Sequence, residues 1–287
     1  MNGIVIIDKP AGWTSQDVVS KLRGVLHERR IGHGGTLDPM ATGVLPVFVG
    51  RGTRAVEFFE HAEKTYETVL HLGITTDTED ITGTVLKTND ISISKEVFLS
   101  VLEQFRGEIQ QIPPMYSALK VNGQKLCDLA RKGKEVERKP RTITIHNLEC
   151  LDFDGTFARL RVACSKGTYI RTLCKDIGQA LGCGGCMESL RRVTAGAYTI
   201  EEAVPLQTLV DAENPENYLR PVDSMFTAYP AVTLTQKQTL RCKNGNSFSI
   251  DLPEGTYRAY SENGEFLMLA KVESGIMSTI KSFFEIE

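Results

Sequence analysis

The chain has no apolar run that approaches the length of a membrane span. Its first residues, MNGIVIIDKPAGW, lack the basic region and the long apolar region of a secretory signal. Internal repeats and low-complexity tails are also absent. These absences argue against membrane insertion and export, so we expect a cytoplasmic location and no membrane partner. The 287 residues, 41% apolar and 24% charged, suit one large and one small globular domain.

Cofactor motifs are missing as well. The sequence has neither the Gly-Lys-Ser/Thr ending of a phosphate-binding loop nor a dinucleotide fingerprint. Cys183 and Cys186 form a Cys-Gly-Gly-Cys pair, but a zinc site needs a second pair and a redox pair needs a thioredoxin-like context. Two thiols in a glycine-rich turn are the simpler interpretation, and the odd count of seven cysteines argues against a disulfide framework. We therefore expect no metal and no organic cofactor.

The charge is small in total but unevenly distributed. The net charge of −3 argues against a generally basic nucleic-acid binder. Residues 120–141 nevertheless carry eight basic side chains against three acidic ones, and residues 156–192 carry seven against two. Two basic segments on an acidic chain indicate a local surface for a polyanion. A pair of solvated faces without a ligand is the alternative.

A glycine-rich stretch from residue 32 to residue 54 is the best candidate for chemistry. Three glycines precede its aspartate: Gly32, Gly34 and Gly35. Pro39 restrains Asp38 to an extended conformation, and residues 41–49 then form an almost continuously apolar strand. A carboxylate on a stiff loop next to a core strand is well placed for a reactive role. The alternatives are an ordinary turn carboxylate and a phosphate cradle, although a cradle is normally followed by a helix.

Other segments predict the elements around this loop. Alternation from Lys64 predicts a strand with Tyr66 on one face, and the acidic, Thr-rich segment from Thr75 to Gly83 suggests an exposed turn. A helical stripe begins at Ile170, which places Tyr169 and Arg171 beside the free amides of a first turn, a natural site for an anion. A capped helix with an exposed arginine is the alternative. From about residue 229, short strand-like pieces separated by glycine turns predict a small β-rich domain.

Five ordered elements between residues 8 and 195 carry a family resemblance: DKPAGWTS, GHGGTLDP, KTY, SKGTYIRT and LRR. Their sequence and order resemble the TruB family of bacterial tRNA pseudouridine synthases. The resemblance implies an α/β (α+β) fold with a mixed, mainly antiparallel sheet flanked by helices. It also implies a catalytic domain over residues 1–225 and a small, β-rich, PUA-like RNA-binding domain over residues 226–287.

The resemblance implies roles for three catalytic residues. Asp38 aligns with the family's catalytic aspartate and would attack the base or the sugar of a uridine. Arg171 would pair with this carboxylate, and an adjacent cation keeps a carboxylate ionised by lowering its pKa. Tyr66 would stack on the target base and is a candidate relay for the proton that leaves C5. The reaction converts uridine to pseudouridine and needs no cofactor.

The resemblance also implies substrate-binding residues and a substrate. His33 would insert into the RNA loop, Tyr169 would contact the base, and Leu190 would pack against the target nucleotide beside Tyr66. The expected substrate is the T-arm of tRNA, with position 55 of the T-loop as the target. We also expect the protein to be a monomer and to work without a guide RNA. The main alternative is a module that refolds tRNA without chemistry, and a nucleotide-dependent enzyme is a second one.

Overall fold

The computed structural model describes residues 1–121 and 123–285. Within this part of the chain the helices are α1 (Ser15–Val25), α2 (Val56–Phe59), α3 (Lys95–Leu102), α4 (Leu126–Ala130), α5 (Ile170–Ala180), α6 (Leu206–Asp211) and α7 (Gln236–Lys243). The strands up to residue 125 are β1 (Gly3–Lys9), β2 (Ile31–His33), β3 (Thr42–Val49), β4 (Lys64–Leu72), β5 (Ile74–Thr76), β6 (Val85–Thr88), β7 (Gly107–Gln111), β8 (Lys120–Val121) and β9 (Gln124–Lys125). The later strands are β10 (Arg141–Phe153), β11 (Phe157–Cys164), β12 (Gly185–Ala195), β13 (Tyr198–Thr199), β14 (Val204–Pro205), β15 (Ala231–Thr233), β16 (Phe248–Ser249), β17 (Gly255–Tyr260), β18 (Phe266–Glu273) and β19 (Ile276–Ser282).

Ten strands form one large sheet, in the order β14-β1-β3-β12-β4-β11-β10-β7, with β2 beside β3 and β13 beside β12. Among the described strands of this sheet, only the pairs β1–β14 and β3–β12 are parallel, and the others are antiparallel. This arrangement, with helices packed against the sheet, confirms the predicted mixed and mainly antiparallel α/β (α+β) fold. The strand predicted from Lys64 is β4, and its alternate side chains are buried as expected.

Both faces of the sheet are covered. Side chains alternate across a strand, so in β1 Val5 and Ile7 join one apolar cluster, whereas Ile4 and Ile6 join another. The first cluster also contains the apolar stripes of α1, α3 and α5. A sheet that is buried on both sides holds its central strands rigidly, and β3, β4 and β12 lie in that centre.

The predicted small β-rich unit is present at the C-terminal end. Strands β15 to β19 form a separate five-stranded sheet with its own apolar cluster. Its second face is not free, because Leu269 and Phe283 pack with Ile4 and Phe48 of the large sheet. Helix α7 within this unit was not expected from the strand-like sequence, and the boundary between residues 225 and 226 stays a prediction.

Two local expectations have different outcomes. The sequence Val121-Asn122-Gly123 predicts a tight turn, but Asn122 lies outside the described residues. The segment from Thr75 to Gly83 was expected to be an exposed turn. It does turn between Asp77 and Gly83, but the expected exposure was wrong at its centre, since Glu79 and Asp80 are only 8% and 6% exposed. Among the described residues, no helix is long and apolar enough to cross a membrane.

Candidate active site

The loop that carries Asp38 is held in place by a buried lysine. The Nζ atom of Lys9 donates to the carbonyls of Pro10, Trp13 and Pro39 at 2.8, 2.6 and 3.2 Å. The side chain is fully buried, and this burial lowers its pKa to about 8. Because its three acceptors come from two separate segments, Lys9 ties the DKPAGW segment to the loop next to Asp38. The two motifs therefore act as one structural unit.

Further contacts fix the loop at both ends. The Ser15 hydroxyl accepts a hydrogen bond from the Leu37 amide at 2.8 Å, so the start of α1 anchors the residue before Asp38. On the other side, Gly43 has a φ of +103°, and a Cβ there would lie 2.2 Å from the carbonyl oxygen of Arg192. Only glycine allows this approach, which brings β3 into its parallel pairing with β12.

The structure places Arg171 directly against Asp38. Arg171 is the second residue of α5, and its Nε and Nη2 atoms lie 2.9 and 3.2 Å from the two carboxylate oxygens. The guanidinium also donates to the carbonyls of Tyr116 at 2.8 Å and Thr78 at 3.1 Å. Such a forked contact fixes the orientation of a carboxylate as well as its charge. Arg171 is 5% exposed, so the exposed arginine considered as an alternative is ruled out.

The residue before α5 is held by a side chain from β7. The Tyr169 amide is occupied, because it donates to Oε1 of Gln111 at 2.8 Å. Gln111 in turn donates from Nε2 to the Tyr169 carbonyl at 3.1 Å. At this helix end the side chain of Arg171 contacts the Asp38 carboxylate.

Burial dominates the electrostatics of Asp38. Desolvation raises the pKa of its carboxyl group above the usual 3.8, and the nearby charge of Asp80 adds to this effect. Arg171 acts in the opposite direction but does not fully offset the burial. The expectation that a neighbouring cation gives Asp38 a lowered pKa was therefore wrong in its net direction. About a third of the side chain remains exposed, which leaves the carboxylate accessible to a ligand.

The buried segment after β5 supplies residues that the sequence analysis missed. Asp80 lies 3.8 Å from Arg171, and its Oδ1 atom accepts hydrogen bonds from the hydroxyls of Thr78 and Thr82 at 2.9 and 2.6 Å. Glu79 accepts from Thr172 Oγ1 and from Lys175 Nζ, both at 2.6 Å. These contacts attach the segment to α5 beside Arg171. An acidic, Thr-rich composition is equally typical of surface turns, so it gave no signal of this role.

A cleft of about 1320 Å³ opens in front of Asp38. Of the residues proposed from the sequence, it brings five together along its walls: Asp38, Tyr66, Tyr169, Arg171 and Leu190. Tyr66 and Leu190 are 9% and 8% exposed and come from the neighbouring strands β4 and β12. Burial raises the pKa of the Tyr66 and Tyr169 hydroxyls, so both are neutral at pH 7 and offer aromatic surfaces with a polar edge.

His33 is the one proposed residue that does not line this cleft. It is the last residue of β2 and lies opposite Val47 in the antiparallel pair of β2 and β3. Burial lowers its pKa below 6.5, which favours the neutral ring at pH 7. Its Nδ1 atom is buried and makes no hydrogen bond within the described residues.

No metal site is formed by the described residues, among which no group of three His, Cys, Asp or Glu side chains is close enough together. Cys183 and Cys186 are both free thiols. The Cys183 carbonyl accepts a hydrogen bond from Asn89 at 2.7 Å, which ties its glycine-rich turn to the segment after β6. The arrangement as a whole offers a fixed carboxylate, a cation and two aromatic walls within one cleft.

Comparisons with known proteins show the family of the chain. The family model for the N-terminal domain of TruB family pseudouridylate synthases matches residues 23–170. The model for the C-terminal domain of tRNA pseudouridylate synthase B matches residues 171–227. A Clostridium kluyveri protein named tRNA pseudouridine synthase B is 42% identical over 99% of this chain and 100% of its own length. A protein of the same name from Dechloromonas aromatica is 46% identical over 91% of this chain and 89% of its own.

Solved structures extend the match to the fold. A chain in the crystal structure of a Cbf5-Nop10-Gar1 complex aligns with a TM-score of 0.73 and 26% identity, over 98% of this chain and 85% of its own. A chain in an archaeal box H/ACA sRNP Nop10-Cbf5 complex aligns with a TM-score of 0.70 and 26% identity, over 98% of this chain and 86% of its own. With both family models matched in order and curated relatives above 40% identity along almost the whole chain, the protein belongs to the TruB family of pseudouridylate synthases and is an isomerase.

Proposed function

We propose that this isomerase converts the uridine at position 55 of the tRNA T-loop to pseudouridine, with Asp38 as the nucleophile. The observation that carries the proposal is the accessible Asp38 carboxylate, which Arg171 holds through both oxygens at the wall of a cleft large enough for a nucleoside. Relatives named tRNA pseudouridine synthase B support tRNA as the substrate. The target position follows from the family resemblance of the motifs around Asp38.

The reaction needs three things from the protein and no outside oxidant. The bond between N1 and C1′ breaks, the base turns, C5 bonds to C1′, and C5 loses a proton while N1 gains one. Asp38 assists by attack on the ribose or on the base, for which it must be ionised. Arg171 favours that ionised form against the effect of burial. The walls formed by Tyr66 and Leu190 retain the detached base while it turns.

The base must leave its stack to reach Asp38, at a cost on the order of a few kcal/mol. Contacts in the cleft offset this cost, since Tyr66, Tyr169 and Leu190 present apolar surface to a flipped-out base. His33 lies outside the cleft, so we assign it to the surrounding T-loop and not to the target base. Basic side chains at the cleft wall, among them Lys125, Arg131 and Lys166, favour the approach of RNA phosphates.

The test is to incubate the purified protein with an unmodified tRNA transcript and to map pseudouridine at each position. We expect modification at position 55, without a guide RNA or partner protein, and none in a transcript that carries cytidine there. Asp38→Asn should abolish product while the dissociation constant for tRNA stays within about threefold of that of the unchanged protein. The reason is that a neutral amide replaces a carboxylate that contributes little to RNA affinity. Product at another position contradicts the assigned target, and residual activity of Asp38→Asn contradicts the assigned nucleophile.

A further inference from the structure

One end of the cleft holds buried positive charge that lies beside Tyr66 and is not paired with Asp38. Arg192 is 1% exposed and Lys64 is 9% exposed, and both line the cleft. Among the described residues, no carboxylate lies within 4 Å of either cation, whereas Arg171 is paired with Asp38. A buried cation without a counterion is costly. Such a site is suited to an anion that arrives with the substrate.

The two cations lie close to one another. Arg192 donates from Nε to the Val44 carbonyl at 2.7 Å and from Nη2 to the Gly35 carbonyl at 3.1 Å, which fixes its guanidinium beside the glycine loop. Lys64 donates to the Ala62 carbonyl. Burial lowers the pKa of Lys64, and the charges of Arg192 and Lys166 lower it further, so the three positive charges repel one another.

Gly35 leaves space between these cations. Its φ is +93°, and a methyl group there would lie 3.4 Å from Nη1 of Arg192 and 3.9 Å from Cε of Lys64. Any side chain at residue 35 would therefore occupy the place where an anion can contact both cations. Lys166 is exposed and lines the same cleft at its rim, with Nζ 3.3 Å from His61. Glu60 also lines this end, but it is exposed and forms no ion pair with the three cations.

Strand geometry relates this end of the cleft to the target base. Lys64 and Tyr66 are two residues apart on β4 and share its buried face, which separates their Cα atoms by about 7 Å. A base held against Tyr66 therefore brings its own flanking phosphates toward Lys64. Only the ribose separates a base from its flanking phosphate, so this spacing suits a phosphate of the same nucleotide.

We propose that Lys64, Arg192 and Lys166, with the open backbone at Gly35, form a subsite for one backbone phosphate that flanks the target uridine. The proposal rests on the proposed function, since it takes RNA as the substrate. In this subsite the phosphate supplies the counterion that the buried cations lack and fixes the sugar of the flipped nucleotide in front of Asp38. Arg192 supplies the rigid contact, Lys64 the buried one and Lys166 the contact at the entrance.

The test measures dissociation constants for a T-arm stem-loop RNA in the Asp38→Asn background, so that the RNA is not turned over. Three RNAs are compared: one with native linkages, and two with a neutral methylphosphonate at the linkage 5′ or 3′ of the target uridine. With native RNA we expect Lys64→Met to weaken binding about tenfold, as a charge-assisted contact is lost. The slope of log K against log salt should fall by about 1.

The methylphosphonate RNAs identify the phosphate. At one of the two linkages, the neutral methylphosphonate should weaken binding about tenfold when the protein has Lys64. With that same RNA, Lys64→Met should cause no further loss of affinity. Lys64→Arg should retain native binding, and Lys166→Met, which changes an exposed side chain, should show a smaller loss coupled to the same linkage. Lys87→Met, on the exposed strand β6 away from the cleft, is the matched control and should change nothing.

A Lys64→Met loss that is equal for all three RNAs, or no loss at all, overturns the subsite. The thermal midpoint of each variant is measured to separate weak binding from unfolding. Pseudouridine formation by the protein with Asp38 intact is measured in parallel on the native RNA. A failure of the proposed reaction is thus observed separately from a failure of phosphate recognition.

Discussion

At the scale of single residues, the geometry of Arg171 matters more than its charge. Two of its nitrogens contact the two oxygens of Asp38, and the same guanidinium donates to the carbonyls of Thr78 and Tyr116. A lysine would keep the positive charge but would present a single point of contact on a flexible stem. The carboxylate would then lose its fixed orientation in the cleft.

We therefore expect Arg171→Lys to lower kcat about 10- to 100-fold with KM for tRNA within about threefold of the unchanged protein, because mispositioning of a reactive group affects the chemical step. Steady-state kinetics of pseudouridine formation measure both constants. Arg171→Gln should lower kcat further, since the ionised form of Asp38 then loses its cation. Full activity of Arg171→Lys would show that charge alone is sufficient.

The sequence predicted some of these residues and missed others for a physical reason. Asp38 and Arg171 stand in motifs whose order resembles a known family, and their proximity followed from that resemblance. Glu79 and Asp80 belong to a segment with the composition of a surface turn, and their burial depends on α5, almost a hundred residues later in the chain. The burial of Arg192 depends likewise on the close approach of β3 to β12 that Gly43 allows. Local patterns do not contain such contacts.

At the scale of elements, α5 and the segment after β5 form one support for Arg171. Thr172 is 1% exposed and donates to Glu79 at 2.6 Å. We expect Thr172→Val, which keeps the shape and removes the hydrogen bond, to reduce the free energy of unfolding by about 1.5–3 kcal/mol. It should also lower kcat, because the Thr78 carbonyl that orients Arg171 lies in the attached segment.

Denaturant unfolding and steady-state kinetics check this prediction. Thr88→Val is the matched control, since Thr88 lies on the exposed strand β6, and it should leave both quantities unchanged. A destabilised Thr172→Val protein with unchanged kcat would limit the role of this contact to folding.

Helix α5 also carries an acidic side chain that burial penalises. Desolvation raises the pKa of Asp176 from 3.8 to about 6, although Lys175 opposes the shift. The folded state therefore binds the Asp176 proton more tightly than the unfolded state does. The ionised side chain costs stability above about pH 6, and this cost disappears as the pH falls below 3.8.

We expect Asp176→Asn to increase the free energy of unfolding by about 1–3 kcal/mol at pH 7.5, a range that allows for partial screening by solvent. The gain should shrink steadily as the pH falls from 6 to 4. Urea unfolding at several pH values measures the difference between the two proteins. Asp90→Asn, at an exposed position, is the control, and an equal gain for Asp176→Asn at pH 4 and pH 7.5 would contradict the assigned cause.

At the scale of the whole molecule, the C-terminal sheet completes the core of the large one. The strand-like pieces after residue 229 predicted its existence, but alternation of side chains does not show which other sheet covers a face. Phe283 is 4% exposed and belongs to the same apolar cluster as Ile4 and Phe48 of the large sheet. Its ring stacks on Phe266 at 5.2 Å and meets Phe226 at 5.8 Å. The two sheets are therefore expected to unfold together.

This packing predicts that Phe283→Ala lowers the free energy of unfolding by about 3–5 kcal/mol, the usual cost of removing a buried aromatic ring. Because the ring lies between the sheets, the loss should lower the midpoint of one common transition, observed both by the fluorescence of Trp13 in the large unit and by far-ultraviolet circular dichroism. Ile280→Ala, on strand β19 just before Phe283 but 41% exposed, should cost far less. Two separate transitions, with only the C-terminal one shifted, would show that the large sheet is stable without its neighbour.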